Sequence, residues 1–189
     1  MSLEEPPGPP FHVRRVAVIG AGRVGRTFAL ACVAAGFEVV LEDVMPANLR
    51  RAQEEYADLS ATGRLEVAST VEDAVREADI AVDFVPDELE SKLEIFSMID
   101  RMAPPKTILL TPSEALSITD LASCTYRGDR CFTVRGGLLS DELPIRLLWP
   151  ECAASDLLAA TFAFLERLGR QVISEPDPDP PMLVKNSRS

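Results

Sequence analysis

Histidine is almost missing from this chain. The 189 residues hold one, His12, in a proline-rich opening stretch where it reads as a solvated arm residue. The folded body therefore has no imidazole, the commonest group for taking a proton from a hydroxyl. Long apolar runs are missing too: the longest, Phe28 to Phe37, has ten residues, against the roughly 20 that cross a bilayer. No cysteines share the CxxC spacing of a metal or redox motif. Cys32, Cys124, Cys131 and Cys152 lie in or beside apolar segments and are expected to be buried and reduced, with no metal site among them. Positive charge is short, with 19 Lys and Arg against 30 Asp and Glu and a net charge of −11. That field repels phosphate backbones and anionic headgroups, which argues against nucleic acid or a membrane surface as partner. The opening MSLEEPPGPP is acidic rather than basic and then apolar, so it does not read as a secretory signal. The expected setting is the reducing cytoplasm.

What the chain does have is a rhythm. After a flexible arm over residues 1–12, carrying Pro6, Pro7, Pro9 and Pro10, short apolar runs alternate with helical stretches. Strands are expected at Val16–Ile19, Val39–Leu41, Leu65–Ala68, Ile80–Val85, Thr107–Leu110, Cys131–Val134, Ile145–Trp149 and Gln171–Ile173. Helices are expected from Arg23 to Ala35, Pro46 to Asp58, after a Thr70 cap, from Glu88 to Met102, Ile118 to Ser123, and from a Ser155 cap to Gly169. The alternation predicts parallel pairing, right-handed crossovers and helices on both faces. The fold class is thus α/β, a single Rossmann-type domain over residues 13–174 with a doubly wound, mainly parallel sheet. Residues 175–189, opening EPDPDPP, read as a proline-rich linker and tail.

The turn Gly20-Ala21-Gly22-Arg23-Val24-Gly25 follows the first strand directly and opens the first helix. Gly20 suits the tight turn, Gly22 a close approach of backbone to a pyrophosphate, and Gly25 close packing of helix on strand. The helix N-terminus adds unpaired N–H groups and partial positive charge. About 20 residues on, the pair Glu42–Asp43 ends the second strand, where a carboxylate meets ribose hydroxyls and repels a 2′-phosphate. NAD is the expected cofactor. Asp43 continues the strand face of Val39 and Leu41 and is preferred, with Glu42 left open. A turn that serves only the βα connection, or cradles a flavin or another adenosine ligand, is the competing reading.

Four blocks, in order, carry a resemblance: VAVIGAGRVGRTFALACVAAGFEVVLED, ADIAVDFVPDELESKLEIF, TILLTPSEALSITDLA and DPPMLVKNS. Together they resemble the NAD-binding, N-terminal domain of the 3-hydroxyacyl-CoA dehydrogenases, oxidoreductases of fatty acid metabolism, across about residues 13–188. The resemblance implies an NAD site at Gly20, Gly22, Arg23, Val24, Gly25 and Asp43. It also sets Asp87, after Pro86, near the nicotinamide ribose, and Lys92 where the family's lysine helps hold the adenine end of the ligands. Taken on their own, Asp87, Glu88 and Lys92 would be a helix start with favourable acids and an i,i+4 pair on a solvated face.

The chain departs from the family where the chemistry sits. The family pattern Asn-Thr-Ser-Ser-Leu-Ser-Ile becomes Pro112-Ser113-Glu114-Ala115-Leu116-Ser117-Ile118, with Glu114 and Ala115 at the serine places. Gly-Leu-His-Phe-Phe-Asn-Pro becomes Thr133-Val134-Arg135-Gly136-Gly137-Leu138-Leu139, so Arg135 replaces the histidine and Leu138 the asparagine. The orienting glutamate falls near Trp149. Asp141 or Glu142 as a substitute base, and Ser113 in the serine's role, are the remaining candidates. The chain ends where the family's helical domain begins, so the resemblance implies half a pocket for an acyl-CoA-type small molecule, to be completed by a protein partner or a homodimer. Two readings follow: a dehydrogenase domain with weak or no activity alone, or a catalytically silent NAD-binding sensor or scaffold.

Overall fold

The structure is a computed structural model that describes residues 10–138 and 143–183. Its elements are β1 (Arg15–Ile19), α1 (Arg23–Ala34), β2 (Glu38–Glu42), α2 (Pro46–Ala57), β3 (Arg64–Ala68), α3 (Val71–Val75), β4 (Ile80–Asp83), α4 (Leu89–Met102), β5 (Ile108–Pro112), α5 (Ile118–Ser123), β6 (Cys131–Arg135), β7 (Ile145–Trp149), α6 (Ser155–Arg167) and β8 (Val172–Pro176). The strands form one sheet in the order β3-β2-β1-β4-β5-β6-β7-β8. From β1 the chain first builds outward through β2 and β3, then crosses to β4 on the other side. That reversal leaves a crevice at the carboxyl ends of β1 and β4, the usual ligand position in a doubly wound fold.

Continuous apolar runs form the central strands because helices cover both faces. On one face Val16, Val18, Ile80, Val82, Ile108 and Leu110 pack against Phe28, Ala29 and Val33 of α1 and Phe164 and Leu165 of α6. On the other, Ala17, Ala81, Leu109 and Cys131 pack against Val75 of α3, Ile95, Phe96 and Ile99 of α4, and Ile118 and Leu121 of α5. Phe37 and Phe164 meet edge to face with centroids 5.0 Å apart, which seals the first layer.

Several expectations change on contact with the structure. β7 runs antiparallel to β6, pairing Thr133 with Leu148 and Arg135 with Arg146, and β8 is parallel to β7. The link from Gly136 to Pro144 is too short for the crossover that parallel strands need. Gly136 and Gly137, at φ +61° and +60°, begin the reversal. β4 stops at Asp83 instead of continuing to Val85. α6 is preceded by Ala154, which offers no side-chain cap, and Ser155 is its first helical residue. Cys124 and Cys152 are exposed, correcting the expectation that all four thiols are buried, because they sit in turns that their apolar neighbours do not cover. Burial pushes the Cys131 thiol up to about 12.

Of the segment read as a linker, residues 175–183 are built into the fold. β8 extends through Pro176. Asp177 Oδ2 then accepts hydrogen bonds from Ser117 Oγ at 2.7 Å, Thr119 N at 2.9 Å and Thr119 Oγ1 at 2.7 Å. Further on, the Asp120 carboxylate accepts the N–H groups of Met182 and Leu183, each at 2.8 Å. Prolines donate no backbone hydrogen bond, so side-chain carboxylates anchor this stretch in place of a ladder.

Candidate functional site

The turn after β1 has the geometry its glycines suggest. Gly20 has φ +96°, a left-handed conformation that favours glycine. A Cβ at Gly25 would lie 1.9 Å from Gly20 O, whereas one at Gly22 would meet nothing within 4 Å. One glycine is there for packing, and the other faces open space. α1 starts at Gly22 with neither a side-chain cap nor an acid in its first turn, which leaves its N–H groups and positive dipole end available to an anion.

Charged side chains clamp this turn from both sides. Ala21 N donates to Asp43 Oδ2 at 2.8 Å, and Arg26 Nη1 donates to Ala21 O at 3.2 Å. Arg26 is itself fixed by Glu55, its Nε lying 3.0 and 2.9 Å from the two carboxylate oxygens. Asp43 also accepts from Met45 N at 2.7 Å and Asn48 Nδ2 at 3.1 Å. A carboxylate has about four acceptor sites, so capacity remains for a hydroxyl. Glu42 is 5% exposed, and its carboxyl is pushed up by burial and by the charge of Asp43. Of the acidic pair, Asp43 is the one presented beside the turn.

A cleft of about 300 Å³ opens on the β4 side of the turn. Its walls are Gly22, Arg23, Val24 and Gly25 of α1, Phe84, Val85 and Asp87 after β4, Lys92 of α4, and Pro112, Ser113 and Glu114 at the end of β5. Pro86 is exposed beside the cleft without lining it; its carbonyl accepts the Glu88 N–H at 2.8 Å. Lys92 is not on a solvated face. It is 1% exposed, and its Nζ donates to Asp83 Oδ1 at 2.7 Å. Burial pushes the Asp83 carboxyl up against the pull of the lysine. Among the described residues, Asp83 Oδ2 and the hydroxyls of Thr111 and Thr133, on the adjacent strands β4, β5 and β6, are buried without a hydrogen-bond partner.

The positions where the family keeps its chemistry are scattered. Ser113 is buried, and its Oγ accepts the Leu116 N–H at 3.0 Å. Asp87 Oδ2 accepts the Glu114 N–H at 2.9 Å, and Glu114 Oε1 accepts the Gly136 N–H at 3.0 Å, so both acids border the cleft. Arg135 is 6% exposed; its Nε donates to Ser113 O at 3.0 Å and its Nη2 to Leu116 O at 2.9 Å, with an ion pair to Asp179. Leu138 lies away from the cleft, in a hollow with Phe28, Ile145 and Leu168. Trp149 is at the far end of β7, paired with Pro176, and the residue opposite Arg135 is Arg146. Asp141 and Glu142 lie outside the described residues. Sequence reading missed Arg26, Asp83 and Asp179. The one available signal was Asp83, the lone polar residue in an apolar strand.

Residues 15–135 match the family described as the 3-hydroxyacyl-CoA dehydrogenase NAD binding domain. A probable 3-hydroxybutyryl-CoA dehydrogenase of Bacillus subtilis is 31% identical over 136 residues, covering 64% of this chain and 47% of its own length. An L-carnitine dehydrogenase of Streptomyces coelicolor is 29% identical over 180 residues, or 87% of this chain and 56% of that protein. The chain thus spans about half the length of these curated relatives. The solved (S)-3-hydroxybutyryl-CoA dehydrogenase of Ralstonia eutropha shares the fold, with a TM-score of 0.78 at 23% identity over 87% of this chain and 64% of that one. No helix among the described residues is long and apolar enough to cross a membrane. NAD is the cofactor of the matched domain. With the glycine turn, the acid at the end of β2 and the sheet order all in agreement with that match, the chain belongs to the 3-hydroxyacyl-CoA dehydrogenase family, through its NAD-binding domain.

Proposed function

We propose that this chain holds NAD at the glycine turn and, by itself, does not interconvert a 3-hydroxyacyl-CoA and its ketone. The reading is carried by Arg135, which the resemblance sets at the place of the family's base and which is tied to Ser113 O, Leu116 O and Asp179. The open space at Gly22 and the uncapped start of α1 suit a pyrophosphate; Arg23 adds positive charge there, and Asp43 suits a ribose hydroxyl. Bound NAD would supply a hydride acceptor. Oxidation of a hydroxyl also needs a group that takes its proton, and a guanidinium stays protonated at any working pH. Lys92 is held by Asp83 and Ser113 sits buried in a turn, so neither substitutes for the base.

The substrate class this reading carries is an acyl-CoA-type molecule, and the protein partner it carries is a second chain or a second copy. Its four free thiols, two of them exposed, fit a reducing cytoplasm. The test pairs a thermal-shift titration with NAD and a steady-state assay with acetoacetyl-CoA and NADH. NAD is expected to raise the melting temperature, and the chain alone to show no turnover. Absence of any NAD-dependent shift would sink the cofactor role. Turnover above about 1 s⁻¹, within the ordinary enzyme range, would sink the silent one.

A further inference from the structure

We propose that the cleft discriminates between the redox forms of its cofactor and holds NAD+ more tightly than NADH, because two carboxylates, Asp87 and Glu114, border the end that receives the nicotinamide. This rests on the NAD reading above. Placement follows from the sheet. Asp43 ends β2 on one side of β1, while the cleft lies on the other, at the ends of β4 and β5. A dinucleotide with its adenosine ribose at Asp43 and its pyrophosphate over Gly22 has only the β4–β5 side for its second half. Pro112, Ser113, Glu114 and Asp87 form that side.

The charges there do not cancel. Of the three cations in this region, Lys92 is engaged by Asp83 and Arg135 by Asp179. Arg23 stands at the turn, where it meets phosphates common to both redox forms. Asp87 and Glu114 enter no ion pair among the described residues; each accepts one backbone N–H. The nicotinamide ring is cationic in NAD+ and neutral in NADH, so the two acids stabilise the oxidised form selectively. At separations of several ångströms beside solvent, the expected preference is about three- to tenfold.

The experiment is calorimetric titration of the full chain with NAD+, NADH and ADP-ribose, which has no nicotinamide. Two variants, Glu114→Gln and Asp87→Asn, keep an acceptor for the Gly136 and Glu114 N–H groups and so preserve the loop. The expected result is tighter binding of NAD+ than NADH, a ratio that drops about threefold in each variant, and unchanged ADP-ribose affinity. The preference also narrows as salt is raised. NADH binding as tightly as NAD+ while ADP-ribose still binds would overturn the inference and leave the cofactor reading standing. Variants that weaken all three ligands together would reduce the acids to structural supports and overturn it as well. If ADP-ribose itself fails to bind, the cofactor reading falls first.

Discussion

Gly22 and Gly25 stand three residues apart and answer to different demands. A methyl group at Gly25 would collide with Gly20 O at 1.9 Å. Gly25→Ala is therefore expected to cost upward of about 2 kcal/mol, read as a lower denaturant midpoint, because neither backbone can yield without moving α1 off β1. Gly22 has φ −60° and no neighbour within 4 Å of an added Cβ. Gly22→Ala is expected to leave stability within about 0.5 kcal/mol and to cut NAD affinity at least tenfold by filling the pyrophosphate's space. Equal NAD affinity in the Gly22 variant, measured by calorimetry, would refute the cradle. The steric demands at these two glycines were legible in the sequence because each depends on a turn of local geometry. Asp83 and Lys92 were not. They are nine residues apart on a strand and a helix, and a lysine among acids on α4 looks solvated until the packing of α4 on the sheet buries it.

At the level of elements, the sequence announced every α-helix and strand among the described residues but not the direction of the last two strands. Direction depends on the length of the Gly136–Pro144 link, and a run such as Ile145–Trp149 has the same apolar character either way. The same limit hid the tail. A proline-rich stretch looks like a spacer unless one knows that Ser117, Thr119 and Arg135 stand beside it to bind its aspartates. Arg135 joins β6, the loop before α5 and the segment after β8. Arg135→Ala is expected to cost about 2–3 kcal/mol, since it leaves two carbonyls and a carboxylate without their donor. Limited proteolysis should then cut faster between Asp177 and Leu183. An unchanged digestion pattern would mean that the tail is held without Arg135.

Across the whole molecule, two carboxylates tie separate regions together and set the response to acid. Asp79 accepts from Arg14 N and Arg15 N, each at 2.9 Å, and pairs with Lys106 at 2.5 Å. Asp177 does the same for the tail. Burial alone would push both carboxyls up, but the surrounding donors outweigh it and hold them below the usual carboxylate range. A lowered folded-state pKa gives stability that is fully present above the unfolded value near 3.9 and is lost as pH falls through the folded one. Asp177→Asn is expected to destabilise by on the order of 1 kcal/mol at neutral pH. That gap should close as the pH falls below about 4, as measured by urea unfolding at a series of pH values. A gap that widened in acid would reverse the sign assigned to Asp177.

The clamp around Ala21 carries one more consequence. Its N–H is held by Asp43 and its carbonyl by Arg26, which Glu55 fixes in turn. The two peptide units that flank Ala21 are thus locked before any ligand arrives. Little conformational freedom is left there to surrender, so a dinucleotide held as proposed would meet a mould already set.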